Sequence, residues 1–305
     1  MQIVEDMYNL VVIGAGITGV WSAFMKKDDV LLVEKEKNIG KNSLSSLWSI
    51  MPPLCGEFQD LCLASEKDYD DVCFNLGVFC KKTHILKLDD FTGKGKLIGK
   101  NEVRTFEPQL DVDKAEMFEN GMFVEGSEFF TRMEDVLNVE TGTEVLRINY
   151  DGNSIKSLQT NKGEISAKYF IFSTGFLTKK MFHEDISLFK GHLIRTKKVG
   201  LNGILISRNR IAVEGRDLYL NGDSVNTEDP SVIYDELRET VSVISKFLRI
   251  DTSTLSVLTG FRTVSTNGKP LIKKVFSNAV LLTGYKFGFA LAPYLAREGI
   301  KLLGA

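Results

Sequence analysis

Residues 10–19 read LVVIGAGITG, and three glycines occur where the apolar run ends. The branched side chains of the run predict a buried β-strand, and the segment that follows, ITGVWSAFMKK, has helical spacing. A second apolar run, DDVLLVEKE at 28–36, predicts another strand. Strand, turn, helix and strand in this order predict a βαβ unit whose two strands are parallel.

The spacing of Gly14, Gly16 and Gly19 is typical of a turn that binds the phosphates of a dinucleotide. Gly14 permits the tight turn, Gly16 lets a pyrophosphate approach the backbone, and Gly19 lets the helix pack closely on the strand. The first turn of the helix presents N–H groups to an anion, so Ile17 and Thr18 join the predicted site.

Glu34 follows the second predicted strand, twenty positions past Gly14. A carboxylate there accepts hydrogen bonds from the ribose hydroxyls of the adenosine and repels a 2′-phosphate, so NADP is disfavoured. Its neighbour Lys35 is included in the predicted site. This motif predicts a dinucleotide without distinguishing FAD from NAD.

The composition of the 305-residue chain is that of a globular protein, with 43% hydrophobic and 26% charged residues. The formal net charge of -2 gives no electrostatic reason to expect nucleic acid as a main partner. No apolar run is long enough to predict a transmembrane helix. The segment that contains Glu5 and Asp6 does not have the pattern of a signal peptide, so we expect a cytoplasmic protein.

The four cysteines, Cys55, Cys62, Cys73 and Cys80, are separated by seven, eleven and seven residues. This spacing follows a helical period better than that of a zinc site, and no metal site is predicted. We expect reduced, buried cysteines that pack as small apolar groups. A disulfide within the cluster and a redox or metal role are the alternatives.

The remaining pattern predicts two kinds of architecture in one chain. Residues 57–77 predict a helix, and residues 190–265 predict antiparallel strands interrupted by a helix that begins at Asp229-Pro230. The last segment, 278–305, predicts a strand, a glycine-rich turn and a final helix. The predicted fold class is α/β, with a Rossmann-like parallel-sheet domain and an inserted, mostly antiparallel α+β domain.

Several short segments follow the first turn in a fixed order. They are NSLSSLWS at 42–49, FEPQL at 106–110, FSTGFLT at 172–178, LFKGHLIRT at 188–196, GFRTVSTNGKPLI at 260–272 and LLTGYKFGFALAP at 281–293. Together they make the chain resemble the FAD-dependent oxidoreductases of the D-amino-acid oxidase type. That family includes glycine oxidase, sarcosine oxidase, FAD-dependent glycerol-3-phosphate dehydrogenase and 2-hydroxyglutarate oxidase.

The resemblance implies that the cofactor is FAD and that both ends of the chain hold it. A flavin needs a second anchor because its ring lies far from the ADP end, and the resemblance implies that Gly284 and the N–H groups of Gly288, Phe289 and Ala290 supply it near flavin N1/O2. Positive potential there favours acceptance of a hydride. Further cofactor contacts are implied for Ser45, Ser46, Val145, Thr174 and Gly175.

The resemblance also implies domain boundaries and a substrate site. The predicted FAD-binding domain comprises residues 1–82, 126–189 and 268–305, and the predicted substrate domain comprises residues 83–125 and 190–267. Arg262 matches the family arginine that binds the anionic group of a substrate, which suits its planar guanidinium. Lys286 adds positive charge, and His192 is a candidate base. The open alternatives are an ion pair for Arg262, plain surface exposure for Lys286 and a core or surface histidine for His192.

The implied activity is oxidation of a C–H bond next to an amine or hydroxyl, with hydride transfer to flavin N5. The expected substrate is a small anionic 2-amino acid, 2-hydroxy acid or glycerol 3-phosphate, and the acceptor is oxygen, a quinone or a carrier protein. The serine loop has Trp48 and Pro52-Pro53 instead of a histidine or cysteine, so we expect noncovalent FAD. The alternatives are a flavin-bearing subunit of a larger electron-transfer complex and an NAD-dependent dehydrogenase. A homo-oligomer is also possible.

Overall fold

The structure is a computed structural model that describes residues 7–305. Glu5 and Asp6 lie outside the described residues. The chain forms two compact units. The first unit contains residues up to 43, residues 130–188 and residues 262–305, and the second contains residues 44–129 and 189–261.

The strands and helices of the described residues are numbered in chain order. The strands are β1 (Tyr8–Ile13), β2 (Val30–Val33), β3 (Ser49–Ile50), β4 (Cys80–Lys87), β5 (Lys96–Gly99), β6 (Lys114–Val124), β7 (Val139–Glu140), β8 (Val145–Asp151), β9 (Ser154–Thr160), β10 (Gly163–Phe172), β11 (Ile186–Thr196), β12 (Ile204–Ser207), β13 (Arg210–Glu214), β14 (Leu218–Asn221), β15 (Val225–Asn226), β16 (Ser256–Ser265), β17 (Leu271–Phe276) and β18 (Ala279–Thr283). The helices are α1 (Ile17–Lys26), α2 (Gln59–Leu76), α3 (Lys100–Phe106), α4 (Gly126–Val136), α5 (Thr178–Phe182), α6 (Tyr234–Ile244) and α7 (Gly288–Leu303).

The first unit contains a sheet with the strand order β17-β18-β10-β1-β2-β7. All neighbours from β18 to β7 are parallel, β17 is antiparallel to β18, and β8 and β9 extend β10 as a meander. Its central strands are almost entirely apolar, as strands covered on both faces must be. The sequence therefore predicted the βαβ unit and the parallel sheet correctly.

Both faces of this sheet are covered. On one face, the strand residues Val11, Phe170 and Leu281 pack with Ile155 and Leu158 of the meander. Helices α1 and α7 pack against each other and on the strands. The contact of α7 with β18 is close, since a Cβ added at Gly299 would lie 2.8 Å from a side-chain methyl of Leu282.

The second unit contains a mostly antiparallel sheet in the order β15-β11-β14-β13-β12-β4-β6-β3, to which β16 and β5 are added at β11 and β6. The single parallel pair on this path is β12 with β4. One face of the sheet packs against α3 and α6 through an apolar cluster that includes Leu86, Leu205, Leu220 and Ile244. This is the inserted, mostly antiparallel α+β domain that the sequence predicts.

The unit boundaries differ from the predicted domain boundaries at four places, of which two are small, since residues 126–129 and residue 189, predicted to join the parallel-sheet domain, lie in the second unit. Residues 44–82, predicted to join the parallel-sheet domain, lie in the second unit. The reason is that β3 pairs with β6 and that α2 packs on both of these strands. Residues 262–267, predicted to join the inserted domain, lie in the first unit.

The expectation of reduced cysteines is wrong. The structure pairs Cys55 with Cys62 and Cys73 with Cys80, with Cα–Cα distances of 6.7 and 6.1 Å. Cys62 and Cys73 lie in the first and last turns of α2, and their partners lie in the segments that enter and leave it. Only the eleven-residue gap between Cys62 and Cys73 lies within a helix, and the disulfide alternative was the correct one.

Helix α6 begins at Tyr234 instead of the predicted Asp229-Pro230. The carboxylate of Asp229 accepts hydrogen bonds from the backbone N–H and the hydroxyl of Ser231, both at 2.8 Å. This local bonding stabilises a turn at the expense of a helix, which is a common property of Asp. Asp235 and Glu236 occupy the first turn of the helix.

Glu107, in the FEPQL segment, is a buried carboxylate that joins two parts of the second unit. It accepts hydrogen bonds from the backbone N–H groups of Asn202 and Gly203 at 3.0 and 2.5 Å, and His84 Nε2 lies 3.0 Å away. Burial by itself raises the pKa of Glu107, but these hydrogen bonds outweigh burial and hold the pKa below its ordinary value. The segment therefore has a structural role.

Among residues 7–305, no helix has the length and apolar character needed to cross a lipid bilayer.

We predict that Gly19→Ala lowers the free energy of unfolding by about 1–3 kcal/mol. A Cβ at this position would lie 1.9 Å from the carbonyl oxygen of Gly14, so the helix and the turn must separate. Denaturant unfolding measures the change. The control is Gly99→Ala, where no atom lies within 4 Å of the added Cβ, and equal stability of the two variants would contradict the prediction.

We predict that Glu107→Gln destabilises the protein at pH 7 by roughly 1–3 kcal/mol, because two backbone donors lose a charged acceptor. Since the pKa of Glu107 is lowered in the folded state, its contribution is complete above the ordinary value of 4.5 and is lost as the pH falls below it. The difference between the variant and the wild type should therefore shrink on acidification. Glu119→Gln, an exposed change on β6, should show no such pH dependence in the same unfolding series.

Candidate active site

Four parallel strands of the first unit end at one edge of the sheet. The pairs Ile13–Val33, Ile13–Phe172 and Phe172–Leu281 are in register, so the residues after β2, β1 and β10 are adjacent, and the residue after β18 lies two positions farther along its strand. These residues are Glu34, Gly14, Ser173 and Gly284. From β2 to β18 the edge spans three strand spacings, about 14 Å. The edge therefore offers an elongated site.

The glycine-rich turn after β1 is packed against the end of β10. Gly14 has φ +94, and a Cβ there would lie 2.6 Å from the carbonyl oxygen of Ser173. The hydroxyl of Ser173 donates to the carbonyl oxygens of Ile13 and Gly14 at 3.1 and 2.8 Å. Sequence reasoning missed Ser173, although it lies in the FSTGFLT segment that was singled out.

The first turn of α1 follows this turn and contains three predicted contacts. Gly16 is the N-cap, and Ile17, Thr18 and Gly19 are buried in the first turn. The backbone N–H of Ile17 donates to the hydroxyl of Ser43 at 3.0 Å. The serine-rich loop after the second strand was the available signal for Ser43, although the predicted site residues of this loop are Ser45 and Ser46.

Glu34 points its carboxylate toward the glycine-rich turn. Its Oε2 accepts the backbone N–H of Ala15 at 2.8 Å, and its Oε1 accepts the N–H of Glu36 at 3.0 Å. Lys35 is exposed, and its ammonium lies 5.8 Å from the ring centre of Phe176. These contacts surround the end of β2 with polar groups.

Val145 lies close to the same strand end in the chain. The backbone N–H of Thr143 donates to the carbonyl oxygen of Glu34, and that of Gly142 donates to Glu36, both at 2.8 Å. Val145 begins β8 two residues later and is partly buried against the core. The structure thus brings the segment of Val145 to the predicted adenosine end of the site.

The end of β10 provides the middle of the edge. Thr174 and Gly175 follow Ser173, and both are partly buried. Gly175 has φ +53, and no atom lies within 4 Å of a Cβ added to it. The backbone at Gly175 therefore faces open space.

The turn between β18 and α7 forms the other end of the edge. Gly284 donates its N–H to the hydroxyl of Thr263 at 3.2 Å, and its carbonyl accepts the N–H of Ser265 at 3.0 Å. Phe287 adopts a left-handed conformation with φ +57 and is 39% exposed. Such a conformation costs energy in a residue with a side chain and often marks a functional site.

Gly288, Phe289 and Ala290 form the first turn of α7. N–H groups in the first turn of a helix point out along its axis, where they can bind partial negative charge. No atom lies within 4 Å of a Cβ added at Gly288, so the backbone here also faces open space.

Arg262 and Lys286 belong to the first unit. Arg262 is partly buried on β16, one residue before Thr263, whose hydroxyl accepts the N–H of Gly284. Lys286 is exposed within the turn between β18 and α7. Lys286 therefore belongs to the turn that contains Gly284, and the neighbour of Arg262 contacts this turn.

Three predicted site residues belong to the second unit, namely Ser45, Ser46 and His192. Ser45 is buried in a short 3-10 turn, and Ser46 is partly buried after it. No contact of either serine tests its predicted role.

The geometry of His192 favours the structural alternative over the predicted role as a base. The ring is 1% exposed, and Nδ1 lies 2.5 Å from Oδ2 of Asp223. Nε2 accepts the backbone N–H of Ile233 at 3.1 Å, which assigns the proton to Nδ1. Because both ring nitrogens are engaged, neither can take a proton from a substrate. His192 instead fastens the segment before α6 to β11.

The first unit fits a dinucleotide by three independent observations. Gly14 lies too close to Ser173 for a residue with a side chain to replace it. The first turn of α1 lies at the same edge, and the carboxylate of Glu34 is an acceptor beside the glycine-rich turn. Open space at Gly175 and Gly288 leaves room along the edge. Among the described residues, no group of His, Cys, Asp and Glu side chains is arranged to hold a metal ion.

Comparisons with known proteins agree with this geometry. A family model described as FAD dependent oxidoreductase (DAO) matches residues 9–302. No curated protein matches the chain in sequence.

The chain also resembles solved structures of this kind, at identities that show the fold alone. L-proline dehydrogenase from P. horikoshii has a TM-score of 0.81 at 20% identity, over 98% of this chain and 94% of that chain. Glycine oxidase from Geobacillus kaustophilus has a TM-score of 0.84 at 15% identity, over 98% and 95%. L-alpha-glycerophosphate oxidase from Mycoplasma pneumoniae, with FAD bound, has a TM-score of 0.81 at 16% identity, over 99% and 96%.

The family match covers nearly the whole chain and confirms the resemblance inferred from the ordered motifs, as well as the predicted fold class. The protein is therefore an enzyme that belongs to the DAO family of FAD-dependent oxidoreductases.

Proposed function

We propose that this enzyme oxidises a C–H bond next to an amine or hydroxyl of a small anionic substrate, a 2-amino acid, a 2-hydroxy acid or glycerol 3-phosphate. The three structural relatives are named for proline, glycine and glycerophosphate, each of which has a carboxylate or a phosphate beside such a bond. When bound, FAD supplies the acceptor for the two electrons that the substrate loses. The family assignment is incompatible with the alternative of an NAD-dependent dehydrogenase.

The observation that best supports the proposal is the shared edge of β2, β1, β10 and β18 in the first unit. We assign the pyrophosphate to the first turn of α1 and the adenosine ribose to Glu34, because N–H groups attract phosphate and a carboxylate accepts from hydroxyls. The turn from Gly284 to Ala290 lies at the other end of the edge and suits the flavin ring. Binding is noncovalent in this proposal.

Arg262 is the residue that we assign to the anionic group of the substrate. Its neighbour Thr263 contacts Gly284, so the backbone of Arg262 lies close to the turn that we assign to the flavin ring. A guanidinium holds a carboxylate or phosphate through two parallel hydrogen bonds and stays charged when water is excluded. Lys286, in the same turn, contributes positive potential that favours both anion binding and electron uptake.

No histidine is needed to accept a proton from an amine substrate. A neutral amine can lose its C–H hydride without an added base, and for a hydroxyl the proton acceptor is unassigned. The electron acceptor is oxygen, a quinone or a carrier protein.

An absorbance spectrum of the purified protein, followed by anaerobic mixing with a panel of 2-amino acids, 2-hydroxy acids and glycerol 3-phosphate, tests the activity. We expect a flavin spectrum that is bleached by at least one class of substrate. A flavin-containing protein that no panel member bleaches, and that co-purifies with other proteins, would instead favour the electron-transfer subunit.

We predict that Arg262→Ala raises the substrate concentration for half-maximal bleaching about a hundredfold, since truncating one partner of a desolvated charge pair costs roughly 2–5 kcal/mol. The flavin absorbance of the resting protein should not change. Arg297→Ala, an exposed change on α7, is the matched control. Bleaching by the best substrate that is unaffected in Arg262→Ala would show that the anion binds elsewhere.

We predict that His192→Asn, whose amide nitrogen can replace Nδ1 as a donor to Asp223, retains bleaching per bound FAD. Its free energy of unfolding should fall by roughly 1–3 kcal/mol, because Ile233 N–H loses its acceptor. Stopped-flow bleaching and denaturant unfolding give the two values. A variant of normal stability that bleaches orders of magnitude more slowly would restore His192 as a base.

A further inference from the structure

One buried hydrogen bond of the first unit joins residues that are far apart in the sequence. The hydroxyls of Thr18 and Tyr285, 267 positions apart, are hydrogen-bonded to each other. Both side chains are buried, with exposed fractions of 7% and 9%. A buried pair of hydroxyls that satisfy each other is costly to break, because each would lose its partner without gaining water.

The two residues belong to segments that follow different strands of the shared edge, β1 and β18, which are separated by β10. Thr18 is the second residue of α1, in the turn assigned to the pyrophosphate. Tyr285 directly follows Gly284, at the start of the turn assigned to the flavin ring. Their hydrogen bond therefore connects the two assigned binding elements directly, by a path outside the backbone pairing of the sheet.

The turn after β18 is hydrogen-bonded at its first residue and is exposed two residues later. Gly284 is held through Thr263 and Ser265, whereas Lys286 and Phe287 are exposed. Tyr285 is the buried residue between these two parts of the turn. Its side chain thus fixes the direction in which the exposed part leaves the sheet.

The link is not sensitive to pH near neutrality. Burial raises the pKa of Tyr285 to about 12, although the hydrogen bond with Thr18 lowers it in part. The phenol therefore keeps its proton, and the two hydroxyls remain a neutral pair. Neither residue is needed as an acid or a base.

We propose that Tyr285 is a positioning residue whose hydrogen bond to Thr18 sets the separation between the pyrophosphate-binding and flavin-binding elements. The proposal rests on the proposed function, in which one FAD spans both elements. Two binding elements increase the affinity for one ligand only when both elements can contact it at the same time. Loss of this hydrogen bond should therefore weaken the binding of FAD, which contacts both elements. It should leave the binding of ADP, which contacts only the first element, unchanged.

The test measures the dissociation constants of FAD and ADP by calorimetry on the full chain freed of flavin. Tyr285→Phe should weaken FAD binding roughly tenfold, as the loss of one buried hydrogen bond predicts, and leave ADP binding within about twofold. Tyr294→Phe, on the partly buried face of α7, is the matched control and should change neither constant.

A second variant tests the same hydrogen bond without any change at Tyr285. Thr18→Val removes the other hydroxyl and retains the backbone N–H. It should therefore weaken FAD binding to a similar extent and leave ADP binding unchanged. The double variant should bind FAD no more weakly than the weaker single variant, because both changes break the same bond.

Equal loss of FAD and ADP affinity in Tyr285→Phe would overturn the proposal, since it would mean general damage to α1. Unchanged FAD affinity in both single variants would overturn it as well. These outcomes differ from failure of the proposed function, in which the wild-type chain itself binds ADP and FAD equally or binds neither.

Discussion

The parallel register of β2, β1, β10 and β18 is the constraint on which the rest of the first unit depends. Backbone hydrogen bonds align the four strands so that all of their following residues emerge at one edge. Segments from the beginning, middle and end of the chain thereby become neighbours. No single segment could form a site of this length, because a strand end by itself offers only a few polar groups.

Close packing preserves this edge. Gly14 and Gly19 let the turn, the end of β10 and helix α1 approach to distances that no side chain would permit. Ser173 and Ser43 then satisfy backbone groups that the turn and the helix leave exposed. In the second unit, the buried side chains of Glu107 and His192 likewise accept hydrogen bonds from the backbone N–H groups of loop residues.

The sequence predicted the parts of the fold that depend on local pattern. The βαβ unit, the glycine-rich turn and the final strand–turn–helix were recognisable because periodicity and glycine spacing act within about thirty residues. It did not predict contacts that depend on tertiary structure. The pairing of Cys55 with Cys62 requires the chain to bend before α2, the role of His192 depends on Asp223, and the Thr18–Tyr285 bond joins the two ends of the chain. The start of α6 was misplaced because the bonding of Asp229 to Ser231 competes with the helix.

We propose that both ends of the chain bind one FAD molecule at this edge. Amide hydrogen exchange, compared between the flavin-free and FAD-saturated protein, tests this proposal. One equivalent of FAD should protect residues 14–19 and residues 284–290 together. Protection of the first segment without the second, at full saturation, would contradict it.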